Sequence, residues 1–300
     1  MKPKIIAIVG PTASGKSDLA VQIAKKFGGE IISADSRQVY KGLNIGTGKI
    51  TKKEMQGVPH HLLDVANPKN KFSVDIYKSL ADKAIENILS RNKIPILCGG
   101  TGFYVDAVAK NIILPDVPPN PILRTKLEEL SAEKLCAMLT KLDPRRAKEI
   151  DPKNKVRLIR AIEIAKSLGH VPHLDVGRPS KYNVLYIGVW RGSDYLKARI
   201  KARLESRIKA GMINEAKKLH GKGLSWKRMH ELGLEYRYLA LYLQNKITKS
   251  EMIEKLNTEI WHYAKRQMTW FKKNKEIVWM DPKKESQIFK TIQDFLKRAM

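Results

Sequence analysis

Apolar residues in the first hundred positions follow two alternating rhythms. Lys4-Ile-Ile-Ala-Ile-Val9 is a continuous, β-branched run that stops at Gly10, the pattern of a strand buried on both faces of a parallel sheet. From Ser17 to Phe27 the apolar positions Leu19, Ala20, Ile23 and Ala24 take helical spacing, and Gly28-Gly29 end it. Glu30-Ile-Ile-Ser-Ala-Asp35 reads as a second short strand. A Gly- and Lys-rich connection over 41–57 leads to a helix at about 73–91. Ile94-Pro-Ile-Leu-Cys98 is then a third buried strand, ending in Gly99-Gly-Thr-Gly102. Strands alternating with helices predict an α/β domain with a mostly parallel sheet.

Four prolines between Leu114 and Pro121 exclude helix or central strand there and mark a boundary. From about Ile122 to Leu168 the spacing is purely helical, through Leu123, Leu127 and Leu130, then Leu135, Met138, Leu139 and Leu142, then Val156, Ile159 and Ile162. Gly177-Arg-Pro179 punctuates this stretch. Tyr182 to Trp190 looks like a strand returning to the sheet, and the remainder is helical apart from a short apolar stretch at Ile277–Met280. The expected organisation is an α/β core of residues 1–115 and 181–300 interrupted by a small helical domain at 116–180, without repeats or low-complexity tracts.

Composition sharpens this picture. A hydrophobic content of 43% in 300 residues supports a real core and excludes wholesale disorder. The apolar run near the start, Ile5–Val9, is far below the roughly 20 residues of a membrane helix and short for a secretory signal, so a soluble, unexported chain is expected. Two cysteines, Cys98 and Cys136, form no CxxC pair, so neither a disulfide framework nor a cysteine zinc site is expected, and a reducing cytoplasm fits. The charge is the larger clue: 57 Lys+Arg against 30 Asp+Glu give +27. Residues 181–300 hold 27 basic and 12 acidic side chains, against 17 and 10 in residues 1–120. Such a surplus attracts a polyanion, usually nucleic acid, and a lysine-rich background composition is the competing reading.

Gly10-Pro11-Thr12-Ala13-Ser14-Gly15-Lys16-Ser17 fits G-x4-G-K-[ST] between a buried strand and a helix, the context a P-loop requires. Its backbone N–H groups form an anion nest at a helix N-terminus, Lys16 adds a point charge, and Ser17 can hold Mg²⁺. Asp35 ends the second strand beside the P-loop and is followed by Ser36, Arg37, Gln38 and Tyr40. It reads either as a ligand through a magnesium shell or as a general base facing a second substrate, with a helix-capping aspartate at a strand end as the plain alternative. The third strand ends in Gly-Gly-Thr, so Thr101 offers a hydroxyl where a Walker B acid could stand. Pro59-His60-His61-Leu-Leu-Asp64 lacks the i, i+4 histidine spacing of the helical zinc motif, and reads better as a hydrogen-bonded pair or a pocket wall. Arg199, Arg203 and Arg207 form one helical stripe, either solvated or meeting phosphate. Trp261-His-Tyr-Ala-Lys265-Arg266-Gln267-Met-Thr-Trp270-Phe271 interleaves aromatics with bases. That mixture suits single-stranded nucleic acid, or an amphipathic helix that buries its aromatics.

Taken in order, the P-loop, Asp35-Ser-Arg-Gln-Val-Tyr40 with Gly42-Leu-Asn-Ile-Gly-Thr47, Pro59–Asp64, Gly99-Gly-Thr-Gly-Phe-Tyr104, Arg157-Leu-Ile-Arg-Ala-Ile-Glu163 and Ala264–Phe271 resemble the tRNA dimethylallyltransferases, or tRNA isopentenyltransferases. The resemblance runs through most of the chain and implies a P-loop core with a helical insertion. The chain ends soon after the last block, as in the bacterial form without a zinc finger. The implied reaction moves the prenyl group of dimethylallyl diphosphate to the N6 amine of the adenosine next to the anticodon. In it the P-loop, Arg203 and a Mg²⁺ on Ser17 hold diphosphate, and Asp35, Thr101 and Arg199 act in catalysis. Asp35, Ser36, Arg37, Gln38, Thr101, Arg124, Arg157, Arg160, Lys265, Arg266 and Gln267 would contact tRNA. The expected partners are tRNA and dimethylallyl diphosphate, with no membrane, and the chain is expected to be a monomer. It departs from the family's pattern at Val156, Glu235, Ile260 and Trp261. A P-loop kinase of nucleotides or small metabolites, and an adenylate isopentenyltransferase acting on free nucleotide, are the competing readings, and neither uses the basic C-terminal third.

Overall fold

The computed structural model describes residues 2–173 and 179–298, so the predicted turn at Gly177-Arg178 lies outside the described residues. In chain order the elements are β1 (Lys4–Val9), α1 (Lys16–Phe27), β2 (Gly29–Ser33), α2 (Lys52–Met55), β3 (His60–His61), α3 (Val74–Ser90), β4 (Ile94–Gly99) and α4 (Gly102–Ala109). Next come α5 (Pro121–Glu128), α6 (Ala132–Leu142), α7 (Pro144–Glu149) and α8 (Lys155–Leu168), then β5 (Asn183–Val189), α9 (Ser193–Lys209) and α10 (Met212–Gly221). The chain closes with α11 (Trp226–Leu232), α12 (Leu234–Leu243), α13 (Lys249–Phe271), β6 (Val278–Met280) and α14 (Glu285–Lys297).

Six strands form one sheet in the order β3-β2-β4-β1-β5-β6, and every pairing is parallel. The first strand pairs with β4 through Ile6–Ile96 and with β5 through Ile6–Leu185. Because β1 is buried on both faces, alternate residues serve two cores. Ile5, Ala7 and Val9 pack with Tyr77, Ala81 and Ile85 of α3 and with Val105 and Val108 of α4. Ile6 and Ile8 pack with Leu19, Ala20 and Ile23 of α1 and with Ile288 and Ile292 of α14. A third cluster, built from α9 to α13, gathers Leu196, Ile200, Leu204, Leu256 and Ile260 around Val39, Tyr40 and Leu43 of the segment after β2.

The chain divides into two compact units, Met1–Asn111 with Ser180–Met300, and Ile112–Pro179. The smaller has its own core of Leu127, Leu135, Leu139, Leu158 and Ile162. Val156, expected on that apolar face, is instead 79% exposed, two residues before Leu158, where α8 first turns inward. The buried Glu163 carboxylate at its centre accepts from the Asn120 N–H (2.6 Å) and pairs with Arg124 (2.7 Å) and Arg160 (2.6 Å). Burial opposes its ionisation, but the hydrogen bonds from Arg124, Asn120 and Arg160 outweigh that and hold its pKa at about 2.

One strand in from the sheet edge, Glu30 of β2 is buried between an arginine and a histidine. Arg91, just past α3, grips both carboxylate oxygens, and His61 Nε2 lies 2.7 Å from Oε2. Hydrogen bonding from Arg91 is the main cause of a pKa held at about 2, with burial opposing and His61 assisting. A carboxyl whose pKa falls on folding adds stability above its unfolded value, and that stability is lost as pH drops through the folded value. Glu30→Gln is therefore expected to lower stability at pH 7 and to weaken the acid dependence of unfolding between about pH 4.5 and 2. Urea midpoints measured across that range check this, and an unchanged acid limb refutes the assignment.

Candidate active site

Three of the parallel strands end on the same edge, and their following turns build the site, as expected for an open parallel sheet. The turn after β1 is the P-loop. Ala13 has φ 62° and Gly15 φ 94°, so the chain reverses handedness twice before α1 begins at Lys16. This alternation turns successive N–H groups to one side. Ser14 Oγ is buried there without a hydrogen-bond partner among the described residues, and Lys16 Nζ rests 3.2 Å from Pro11 O. Burial is the main reason the Lys16 ammonium is easier to deprotonate than usual, with Cys98 and Asp35 opposing.

After β2 comes Asp35. Its Oδ1 accepts from the N–H groups of Arg37 (2.8 Å) and Gln38 (3.3 Å), the turn-capping arrangement, while Oδ2 has no hydrogen-bond partner among the described residues. No helix begins at this turn, so the helix-capping reading fails; one carboxylate oxygen is held by the turn and the other meets no protein donor among the described residues. The sequence put Asp35 beside the P-loop, but β4 lies between β2 and β1 in the sheet, so the carboxylate reaches the site from one strand further out.

After β4, Gly99-Gly-Thr-Gly102 allows two close approaches. A Cβ on Gly99 would lie 2.1 Å from Ala34 O, and one on Gly102 would lie 2.2 Å from the Trp270 ring. The second gap admits α13. From that helix Gln267 reaches in, its Oε1 accepting from Thr12 N (2.8 Å) and its Nε2 donating to Gly100 O (2.9 Å). Gln267, expected at the RNA surface, is thus a buried strut between P-loop and β4 turn, because α13 lies closer to the sheet edge than the sequence reveals. Thr101 Oγ1 accepts from Ser36 N (3.0 Å).

These turns face α9, α12 and α13 across a cleft of about 390 Å³. Thr12, Lys16, Ser17, Asp35, Gln38 and Arg203 line it, and Ser36, Arg37, Arg266 and Gln267 belong to the same wall. Arg199 and Thr101 are not among the lining residues. Arg199 lies one turn away, above the Tyr195 ring at 5.9 Å. The arginine stripe is half-buried along its length, so the solvated reading fails for it. Arg203 has no carboxylate partner among the described residues, and burial together with Arg207 and Arg199 brings its pKa down to about 10. Lys265 and Arg266 are exposed, whereas Phe271 is buried and Trp270 donates to Asp106 Oδ2 (2.9 Å), so the aromatic block splits into a packed end and a basic face.

Sequence reasoning missed Arg207, Glu235 and Tyr263 as lining groups. Arg207 was visible as the third member of the stripe, Tyr263 inside the aromatic-basic block and Glu235 as a departure from the family pattern, but none of these signals pointed to a cleft. The histidine pair supplies no metal: His61 serves Glu30, and Asp64 serves Lys49 at 2.6 Å. Among the described residues no group of three His, Cys, Asp or Glu can hold an ion. Arg124 and Arg160 are held by Glu163 within the smaller unit, and Arg157 of α8 is exposed.

A P-loop at the C-terminal edge of a parallel sheet, with Lys16, Arg203 and the Asp35 carboxylate in one cleft, places the chain in the class of P-loop proteins. The sequence profile of the IPP transferase family matches residues 38–274. The "tRNA dimethylallyltransferase 1" of Syntrophus aciditrophicus is 43% identical, covering 94% of each chain, and the "tRNA dimethylallyltransferase" of Halalkalibacterium halodurans is 41% identical over 94% of this chain and 92% of its own. The crystal structure of the tRNA isopentenylpyrophosphate transferase of Bacillus halodurans superposes with a TM-score of 0.76 at 39% identity, covering 99% of this chain and 97% of that one. A eukaryotic dimethylallyltransferase acting on tRNA gives 0.81 at 25%, covering 99% and 81%. The chain belongs to the IPP transferase family, with the P-loop core of its tRNA dimethylallyltransferases.

The close approach at Gly99 sets a mutational contrast. Gly99→Ala drives a Cβ into Ala34 backbone and is expected to cost about 3 kcal/mol. Gly100→Ala meets the Gln267 amide rather than backbone, and pushing it aside sacrifices its hydrogen bonds to Thr12 and Gly100, an expected cost of about 2 kcal/mol. Urea unfolding of the two variants checks the order; equal losses contradict it.

Proposed function

We propose that the chain transfers the dimethylallyl group of dimethylallyl diphosphate to the N6 amine of the adenosine adjacent to the anticodon in tRNA, releasing diphosphate. The observation that carries this reading is one cleft holding the P-loop, Lys16 and the unpaired Arg203 together with the half-free carboxylate of Asp35. The first set suits the leaving diphosphate and the second the incoming amine.

The buried Ser14 hydroxyl, the P-loop N–H groups, Lys16 and Arg203 receive diphosphate and stabilise the charge that grows on it as the allylic C–O bond breaks. Burial makes each cation costly to leave uncompensated, so an anion here restores what desolvation removed. Ser17 Oγ would hold a Mg²⁺ whose other ligands would be substrate and water oxygens, since no three-acid cluster stands among the described residues. Such an ion, when bound, neutralises charge on the diphosphate.

As the N6 lone pair forms the new N–C bond, the C–O electron pair leaves with diphosphate, and the amine proton passes to Asp35. Gln38 donates weakly to Gly48 O at 3.4 Å, which leaves its carbonyl oxygen to accept from the adenine edge. Thr101 accepts from Ser36 N and so keeps its own proton for an oxygen in or beside the cleft. Arg199 extends the cationic stripe of α9 by one turn. The exposed Lys265 and Arg266 suit the RNA backbone, as does Arg157 on the smaller unit. Gln267 supports the P-loop in place of a direct RNA contact.

Incubation with labelled dimethylallyl diphosphate and either unmodified tRNA or AMP tests the reading: label is expected in tRNA, and label in AMP alone overturns it. Asp35→Ala is expected to reduce turnover by a factor of about 10²–10⁴ with tRNA affinity nearly unchanged, and more than about a tenth of wild-type rate contradicts the base role. Replacing Lys265 and Arg266 with Ala is expected to weaken tRNA binding and to reduce its salt slope by roughly 2, read by binding titrations at several salt concentrations.

A further inference from the structure

Glu215 lies outside the cleft, yet its carboxylate is the most heavily hydrogen-bonded acid next to it. Oε2 accepts from the N–H groups of Asn44 (3.0 Å) and Ile45 (2.7 Å), and Oε1 accepts from Gly46 N (3.0 Å) and from Tyr236 Oη–H (2.7 Å). Three consecutive backbone donors converging on one carboxylate fix the shape of the turn at 44–46, as an anion in a nest does. The next two residues, Thr47 and Gly48, line the cleft.

What that turn carries is Arg207. Gly46 O lies 3.3 Å from Arg207 Nη1, and Glu235 Oε1 lies 3.2 Å from the same atom. The guanidinium rests on Gly48, where a Cβ would fall 1.9 Å from Nη2, at φ 57°. Gly46 in turn abuts the Tyr236 ring, where a Cβ would lie 2.8 Å from Oη. Arg207 is therefore seated on a surface whose shape Glu215 sets, and both Arg207 and Arg203 line the cleft.

We infer that Glu215 is a positioning residue for the diphosphate subsite: by locking the 44–46 turn it holds Arg207 in register with Arg203, and so sets affinity for the prenyl donor without touching it. This rests on the reading of the cleft as the donor site. The carboxylate is needed, because all four of its partners are donors. Glutamine has the same shape but turns an N–H₂ toward two of them, leaving donor facing donor.

The test measures prenyl transfer at saturating tRNA and, separately, binding of inorganic diphosphate by calorimetry. Glu215→Gln is expected to raise the donor KM and the diphosphate Kd by about tenfold, with kcat within about twofold and the tRNA KM unchanged. Arg207→Ala and the double variant Arg207→Ala/Glu215→Gln are expected to agree within about twofold, because the second change acts only through the first. Losses that multiply in the double variant, or a lowered Tm with donor KM and diphosphate Kd unchanged, overturn the inference. If Glu215→Gln does not fold, Tyr236→Phe removes one donor while keeping the ring. A donor KM and diphosphate Kd raised about threefold then support the role, and unchanged values overturn it. Diphosphate binding without prenyl transfer by the wild-type chain would refute the proposed reaction, while the diphosphate Kd of the variants would still decide the role of Glu215.

Discussion

The site depends on how closely α13 approaches the C-terminal edge of the sheet. Side chains are absent at Gly100 and Gly102 where Gln267 and Trp270 arrive, and the Gln267 amide then joins the P-loop to the β4 turn through one acceptor and one donor. A buried amide with both ends satisfied is directional as well as stabilising, since sliding the helix would leave two backbone groups unpaired. From this one anchorage the cleft wall follows. Glu259, Ile260, Tyr263, Arg266 and Gln267 fall at helical intervals along a single face of α13 and all line the cavity. A capping box at Thr248 and Glu251 fixes the far end of the same helix.

The two units treat buried charge in opposite ways. In the smaller one Glu163 collects two arginines and a backbone N–H, a closed arrangement whose worth is conformational definition. In the cleft the balance is left open. Arg207 has Glu235, while Lys16 and Arg203 face a space where no carboxylate of the described residues bonds either one, and burial lowers the proton affinity of both. Burial raises the pKa of Glu235, with Arg207 resisting. This site is organised around charge that substrate supplies.

Much of the fold was legible because the parallel strands announce themselves. β1, β2, β4 and β5 are short apolar runs bounded by turn residues, and α1 and α3 have clean periodicity. What escaped has physical reasons. β3 holds two residues, too few for any period to register, and the apolar stretch at Ile277–Met280 showed a break in the helices without showing that its three residues of β6 join the sheet. Helix α4, Gly-Phe-Tyr-Val-Asp-Ala-Val-Ala, is buried on most sides and shows no amphipathic stripe. At the site, the P-loop and Asp35 were visible because spacing and strand context define them. Gln267 was misplaced and Tyr263 overlooked because one helix carries both the strut and the basic face, and sequence does not say which way it turns. The half-buried arginine stripe could be resolved only once α9 was seen against the cleft.

The strand order has a consequence for how the chain reaches this structure. β1 lies between β4 and β5, so its partners are about ninety and one hundred and eighty residues away, the second beyond the whole helical insertion. No hairpin exists in the sheet to nucleate pairing locally, and every strand must wait for a distant neighbour. During synthesis the first strand, the most apolar of the molecule, has no complete pair of neighbours until residue 189 has emerged, whereas the short helices of the insertion need only one another. The segment bearing the P-loop is made first and secured late, which makes the nascent chain, more than the finished enzyme, the form most exposed to aggregation.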